Sequence, residues 1–438
     1  MTEPTAAAQP GFRRAVSRWE IVGLSVNDVI GSGIYLLPAE SAALLGTWSV
    51  GAVVLAGFAV LLLVLCFAEA ASHFDRPGSA YLYARVAFGD FVGFEVGWMT
   101  WLARVSAVSS LAVAFARALG YLWPAANGGW PKALAIALPV LALMAINIVG
   151  VKSGVRTAVF LAITKTLPLL LFLIAGSLAF SRAIEATVAP VPLTASGLGK
   201  AALLLLFAYA GFENTAAPAG EFKNPRRDVP FALIAQIVIV TLIYTGVQWV
   251  ALGTLPGLAS AQTPLADAAR LFLGPWAGLV LTVGAAISIL GSNGNTILTG
   301  PRYLFALAED GFGPRALASL HPRFRTPTVA LLVQTAIALP LAFTGSFEAL
   351  AMLSAVARLA TYFGTAVAVP ILRRKLPASP EAFRLPGGPA IPIAAALLCV
   401  GLAASATKEN LIAGAAAIAV GGVIYALRRP PEAPGEAS

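Results

Sequence analysis

Two short stretches place glycine and polar residues inside runs that are otherwise apolar. Residues 27–35 read NDVIGSGIY, and residues 207–214 read FAYAGFEN. A helix that unwinds in hydrocarbon leaves amide and carbonyl groups unpaired, at a cost of several kcal/mol each. Such a break persists only where a cavity, an ion or a ligand satisfies those groups. The two stretches therefore predict a buried polar site inside a membrane.

Ionisable side chains also occur deep in the apolar runs. Lys165 lies well inside its run, where a charged group costs about 2.5–3.5 kcal/mol. Intramembrane charges pair with one another and face the interior of a bundle. The sequence leaves several pairs open: Glu213 with Arg358, Asp28 with Lys165 or Arg358, and Arg104 in a structural pair.

Membrane-spanning helices must position these residues. Of the 438 residues, 58% are apolar and 11% are charged, which is too few charges for the surface of a soluble protein. A spanning helix needs about 20 mostly apolar residues. On that criterion we predict twelve spans, at residues 17–45, 48–73, 91–119, 132–150, 153–181, 198–222, 230–256, 274–306, 327–343, 347–372, 389–405 and 409–427.

The net charge of +9 is explained by topology and requires no nucleic acid partner. Most Lys and Arg residues lie in the tails and the even-numbered connections, which predicts cytoplasmic N- and C-termini in a multi-pass protein of the plasma (inner) membrane. The tails at 1–16 and 429–438 are predicted to be disordered. The connection at 74–90 predicts a short interfacial helix.

The two interrupted spans occupy corresponding positions in two halves of the chain. The halves cover residues 17–181 (spans 1–5) and 198–372 (spans 6–10), and spans 11–12 follow in 389–428. Glycine in a membrane helix often serves only close packing. Interruptions at matching positions instead indicate the binding site of a secondary transporter.

Several motifs resemble the amino acid–polyamine–organocation (APC) superfamily, in particular its cationic amino acid transporter and proton-coupled bacterial branch. The resemblance covers residues 17–428. It implies an all-α membrane protein with the LeuT-like fold, in which twelve transmembrane helices form a five-plus-five inverted repeat, with broken first and sixth helices, plus two extra helices. The motifs are GSGIY at 31–35, FAYAGFE at 207–213, EFKNPRRDVP at 221–230, ALAEDG at 306–311 and FRLPGG at 383–388.

The resemblance also implies how an amino acid would bind. Its carboxylate would meet amides at the start of the second half of the first span, where the helix dipole favours an anion. Its ammonium would meet carbonyls of both breaks, beneath Phe207 as an aromatic gate. The implied substrate-binding residues are Val29, Ser32, Gly33, Ile34, Phe207, Ala208 and Ala210.

Lys165 resembles a lysine that replaces a sodium ion in proton-coupled members of the superfamily. By that resemblance its ammonium would reach the carbonyl of Asp28 or Gly31 and the hydroxyl of Ser288 or Ser292. Glu213 is a second candidate proton carrier. Asp28 departs from the family pattern, and a carboxylate beside Lys165 would keep the lysine charged.

The sequence thus predicts secondary active uptake of a small amino acid by alternating access, coupled to protons and independent of sodium. Small residues around both breaks favour a neutral substrate. Open alternatives are an amino acid or amine exchanger and, from another class, a transporter-like sensor or channel. With two histidines and no metal-ligand spacing, we predict no enzyme, no metal and no cofactor. The lipid bilayer is the expected environment, and no obligatory protein partner is indicated.

Overall fold

The computed structural model describes residues 16–74, 79–149, 155–180, 191–215, 222–376 and 382–427. Regular structure in these ranges is helical, with one isolated bridge between Val16 and Phe222. The α-helices are α1 (Arg18–Val29), α2 (Ser32–Leu45), α3 (Ser49–Ser72), α4 (Ser79–Phe88), α5 (Asp90–Leu119), α6 (Gly129–Val149), α7 (Val155–Phe180), α8 (Ala195–Tyr209), α9 (Pro225–Thr254), α10 (Pro264–Leu273), α11 (Pro275–Glu309), α12 (Thr328–Thr344), α13 (Phe347–Lys375), α14 (Ala390–Ala404) and α15 (Lys408–Leu427).

The distribution of polar residues is that of a membrane protein. Gln236 and Gln334 are fully buried, whereas Leu55, Leu178 and Leu242 face outward. Eight helical stretches in the described part of the chain are long and apolar enough to cross a membrane, and three further apolar helices are shorter. The outer surface is thus suited to lipid, and the polar groups lie in the interior.

The helices overlap every predicted run, with one addition. In the sixth run, 198–222, the break expected at 207–214 is present, since α8 ends at Tyr209. Residues 216–221 lie outside the described ranges. Helix α10 was not predicted because its ten residues are too few to span a membrane. The expected helix within 74–90 is confirmed as α4. The predicted tails lie outside the described residues, apart from Val16.

Ion pairs tie the helices together at both ends of the bundle. At the end where α2 terminates, Arg117 of α5 donates to Glu348 of α13 at 2.6 Å and to Glu40 of α2 at 3.2 Å. At the end where α1 begins, Arg18 contacts Asp228 of α9 at 2.9 Å. We call these the α2 end and the α1 end of the bundle. The two breaks lie between them.

Candidate functional site

The first break separates α1 from α2. Helix α1 ends at Val29, Ile30 is extended, and α2 begins at Ser32. The last carbonyls of a helix have no partner within it, and here side chains of other helices supply them. Lys165 Nζ donates to the carbonyl of Asn27 at 2.6 Å.

Two further carbonyls of this break are satisfied in the same way. The Tyr244 hydroxyl of α9 lies 3.2 Å from the carbonyl oxygen of Val29. Ser288 and Ser292 of α11 donate to the carbonyl of Ile30 at 3.2 Å and 3.4 Å. Side chains of α7, α9 and α11 therefore stabilise the carbonyl groups that the break exposes.

The second break begins after α8. Ala210 is extended and Gly211 has φ of +127°, after which Phe212–Asn214 form a single 3₁₀ turn. A side chain is strained at that φ, and a Cβ on Gly211 would lie 2.7 Å from the carbonyl oxygen of Asp28. Only glycine therefore permits this contact between the two breaks.

A second close approach joins the half-helices beyond the breaks. A Cβ on Gly33 of α2 would lie 2.8 Å from the Cα of Ala208 in α8. The Tyr244 hydroxyl also lies 3.1 Å from the carbonyl oxygen of Ala208, so it bridges both breaks. Helices α2 and α8 are in direct backbone contact at the site.

A cavity of about 40 Å³ lies between the two breaks and helices α5, α11 and α13. Ligand pockets usually measure about 300–1,000 Å³, so the cavity must enlarge to admit a ligand of ordinary size. Its walls combine glycine, hydroxyl, amide and charged groups. The lining residues are Asp28, Val29, Gly31, Ser32, Gly33, Arg104, Ala107, Leu111, Phe207, Ala208, Ala210, Gly211, Asn214, Ser292, Asn295, Thr296 and Arg358.

Most of the residues predicted from sequence come together at this cavity. Ser32 and Gly33 lie at the first turn of α2, and the Ser32 hydroxyl is buried with no hydrogen-bond partner among the described residues. Phe207 lines the wall and packs edge-on against Phe347, with ring centroids 6.1 Å apart. Ile34 is buried but does not line the cavity.

The coupling residues predicted from sequence divide into two groups. Asp28 and Ser292 line the cavity, whereas Lys165, Ser288 and Glu213 do not. The expected acceptor of the Lys165 ammonium was the carbonyl of Asp28 or Gly31, and its hydrogen bond to Asn27 differs from that expectation. Its acceptor is Asn27 because α1 ends at Val29 and leaves the carbonyl of Asn27 free.

The structure selects among the possible charge pairs. The Glu213 carboxylate pairs with both Arg104 and Arg358, at 3.3 Å from Arg104 Nη2. Its other oxygen accepts from the Gly211 amide at 2.9 Å and the Tyr362 hydroxyl at 3.2 Å. The expected Glu213–Arg358 pair is thereby present, and Arg104 shares the same carboxylate.

Asp28 has a partner that was not foreseen. Its carboxylate accepts from the side-chain amide of Asn295 at 2.7 Å. Asn295 follows Ser292 by three residues and Ser288 by seven, so all three share one face of α11. That spacing could have identified Asn295 from sequence. Tyr244 carries no such signal, since its contacts with the carbonyls of Val29 and Ala208 depend on how α9 packs.

Other polar residues near the site have structural partners. Ser109 and Ser110 donate to the carbonyls of Ala338 and Phe347, at 2.8 Å and 3.0 Å. Among the described residues, no three His, Cys, Asp or Glu side chains group as a metal ion would require. The polar groups that line the cavity are backbone groups, side-chain hydroxyls and amides, and charged side chains.

Comparison with known proteins places this arrangement in a family. A sequence profile described as amino acid permease matches residues 16–426. The chain is 27% identical to the branched-chain amino acid permease BcaP of Bacillus subtilis, over 96% of this chain and 94% of that protein. It is 28% identical to the methylthioribose transporter of the same organism, over 94% and 93%. It is also 28% identical to the serine/threonine exchanger SteT of that organism, over 88% and 89%.

The profile covers both breaks, the cavity and nearly every described helix. The outward apolar surface and the paired breaks are what a permease requires. The chain therefore belongs to the amino acid permease family of the APC superfamily, and it is an integral membrane transporter rather than an enzyme.

Proposed function

We propose that this protein is a secondary active transporter that moves small amino acids across the cytoplasmic membrane by alternating access. In this proposal the twelve predicted runs are all spans, and the fold is LeuT-like. Helices α1–α7 (predicted half 17–181) and α8–α13 (predicted half 198–372) form the inverted repeat, and α14 and α15 (predicted range 389–428) are the extra helices. Both termini face the cytoplasm, so the α2 end faces outward.

The observation that carries the proposal is that backbone from both breaks lines one polar cavity. The first turn of α2 supplies amides and the unpaired Ser32 hydroxyl, which suit a carboxylate. At the second break, Phe207 and Ala210 bring carbonyls that suit an ammonium group. Val29 keeps one carbonyl lone pair available beside Tyr244. A zwitterion therefore fits across the two breaks.

The coupling ion is proposed to be the proton. Lys165 is 2% exposed and its ammonium contacts the first break. Its ammonium takes the place that a sodium ion would occupy, and it is the first group that could release and regain a proton. Glu213 is the second group that could carry a proton, because its carboxylate connects the second break to α5 and α13.

Reconstitution of the purified protein in liposomes tests this function. We expect uptake of at least one amino acid when the outside is more acidic than the lumen, and equal uptake when choline replaces sodium. Strict dependence on sodium would contradict the role of Lys165. Binding without flux would instead indicate a sensor, and ion conductance in a planar bilayer would indicate a channel.

Exchange is a second candidate, because one relative is named a serine/threonine exchanger. Liposomes loaded with unlabelled amino acid distinguish the two modes. Uptake into empty liposomes supports proton-coupled symport. Uptake only into loaded liposomes would make this protein an exchanger.

A further inference from the structure

Two arginines form part of the cavity wall. Arg104 of α5 and Arg358 of α13 both line the cavity, together with the first turn of α2. They are 2% and 6% exposed. Neither residue belongs to the amide and carbonyl groups that the proposed function assigns to the ammonium and carboxylate of an amino acid.

Glu213 accounts for only one of these positive charges. Its two oxygens already accept from Arg104, Arg358, the Gly211 amide and the Tyr362 hydroxyl. Arg104, Arg358 and Asp28 are the charged residues that line the cavity. Glu213 pairs with both arginines, and Lys165 contacts the first break at Asn27. Three positive and two negative charges leave an excess of one positive charge.

Arg104 also has hydrogen-bond donors that these contacts do not use. A guanidinium carries five N–H groups, and the bonds described for Arg104 use Nη2 alone, toward Glu213 and Asn214. Its Nε is buried and has no hydrogen-bond partner among the described residues. A buried, partly unsatisfied cation on the wall of a cavity is suited to an anionic ligand.

The opposing explanation is that both arginines serve only to neutralise Glu213 and to hold α5 and α13 together. One guanidinium would suffice for one carboxylate. That explanation accounts neither for the second positive charge nor for the unpaired Nε of Arg104. It also leaves unexplained why both side chains reach the cavity.

From these contacts we propose that the preferred substrate is an amino acid with a carboxylate on its side chain, of the aspartate and glutamate class. This inference rests on the proposed function and replaces the neutral substrate that the small residues favour. The main-chain groups of the substrate bind at the two breaks. Its side-chain carboxylate accepts from Arg104 and Arg358, which gives the charged groups of the cavity a net charge of zero.

The test compares acids with their neutral amides on the purified full-length protein. Thermal unfolding is followed with L-glutamate, L-glutamine, L-aspartate, L-asparagine and L-alanine, since a ligand of the folded state raises the melting temperature. We expect one acid to act at concentrations roughly 10- to 100-fold lower than its amide, the range that loss of a charge-assisted hydrogen bond produces. The same order should hold when these compounds compete for uptake.

Arg358→Gln and Arg104→Gln should remove that preference while L-alanine, which has no side-chain acceptor, still stabilises the protein. Arg270→Gln is the matched control, because Arg270 is an exposed cation on α10, away from the cavity. If a variant fails to fold, the comparison of acid with amide on the unaltered protein still decides.

The outcomes distinguish failure of the inference about the substrate side chain from failure of the proposed transporter function. If neutral amino acids bind or are transported as well as the acids, the inference about the side chain is wrong and the transporter function stands. If no amino acid stabilises the protein or crosses the membrane, the proposed function itself is wrong. Preference for the acids, lost in both arginine variants and kept in Arg270→Gln, supports both.

Discussion

The ammonium group of Lys165 donates a hydrogen bond of 2.6 Å to the carbonyl oxygen of Asn27, in the last turn of α1. This bond joins α7 to the half-helix that precedes the first break. Ser288 and Ser292 join α11 to the same break through Ile30. Lys165 therefore fixes α1, while the serines fix the unwound residues beyond it.

Lys165→Ala should abolish coupled transport. The substitution leaves a buried carbonyl unsatisfied, at a cost of about 1–3 kcal/mol, and frees α1 from α7. Uptake into liposomes driven by a pH gradient is the measurement, with size-exclusion chromatography as a check on folding. Lys223→Ala is the control, because Lys223 is exposed. Normal pH-driven uptake by Lys165→Ala would remove this lysine from the coupling mechanism.

Tyr244→Phe should destabilise the site without altering its shape. The ring keeps its packing against Tyr209, with centroids 5.2 Å apart, but the hydroxyl that bridges the carbonyls of Val29 and Ala208 is lost. We expect a loss of about 1–3 kcal/mol, seen as a lower melting temperature, and weaker substrate binding. Tyr425→Phe, on the distant α15, should leave binding unchanged. Equal binding by Tyr244→Phe and the unaltered protein would show that the bridge has no role in the site.

Gly33→Ala and Gly211→Ala should both impair transport, for different reasons. At Gly33 the new methyl group meets the Cα of Ala208, so α2 and α8 must separate. At Gly211 the φ of +127° is itself strained for alanine. Initial rates of uptake are the measurement. Gly291→Ala should be tolerated, because a Cβ there meets nothing within 4 Å. Full activity of Gly211→Ala would contradict the described contact with Asp28.

Arg117→Gln should favour opening of the α2 end. The guanidinium holds α2 and α13 to α5 through Glu40 and Glu348, and it also donates to the carbonyl of Gln262 at 2.9 Å. A cysteine in place of Ala107, on the cavity wall, reports access to a membrane-impermeant thiol reagent. We expect faster labelling from the α2 side in Arg117→Gln. Unchanged labelling would mean that packing alone closes this end.

Apolar run length predicted the helices because lipid imposes that length on every span. It missed α10, which is short and buries Leu265, Ala268 and Ala269 against its neighbours. Run length alone also gave no sign of the helix end at Tyr209, which was indicated by the glycine and polar residues at 207–214. The apolar composition of a segment indicates that it lies in lipid, but it does not determine the backbone angles at single residues.

The site could be predicted in part. Glycine at matching depths indicated both breaks, and intramembrane charge indicated Glu213 and Arg358. The acceptor of Lys165 could not be foreseen, because it depends on the residue at which α1 ends. Tyr244 could not be foreseen either, because its role exists only once α9 packs against both breaks.

The backbone contact between Gly33 and Ala208 has a consequence for selectivity. Because Gly33 brings the backbone of α2 against Ala208 of α8, we expect the two helices to move together as one rigid body in the proposed transport cycle. In the proposed binding mode, the ligand groups held by the two breaks would move with these helices. The ligand side chain would then extend toward α5, α11 and α13, which must separate from α2 and α8. Main-chain recognition should therefore determine whether a compound binds, and its side chain should determine whether the carrier turns over. A close analogue with an oversized side chain should bind and arrest the cycle.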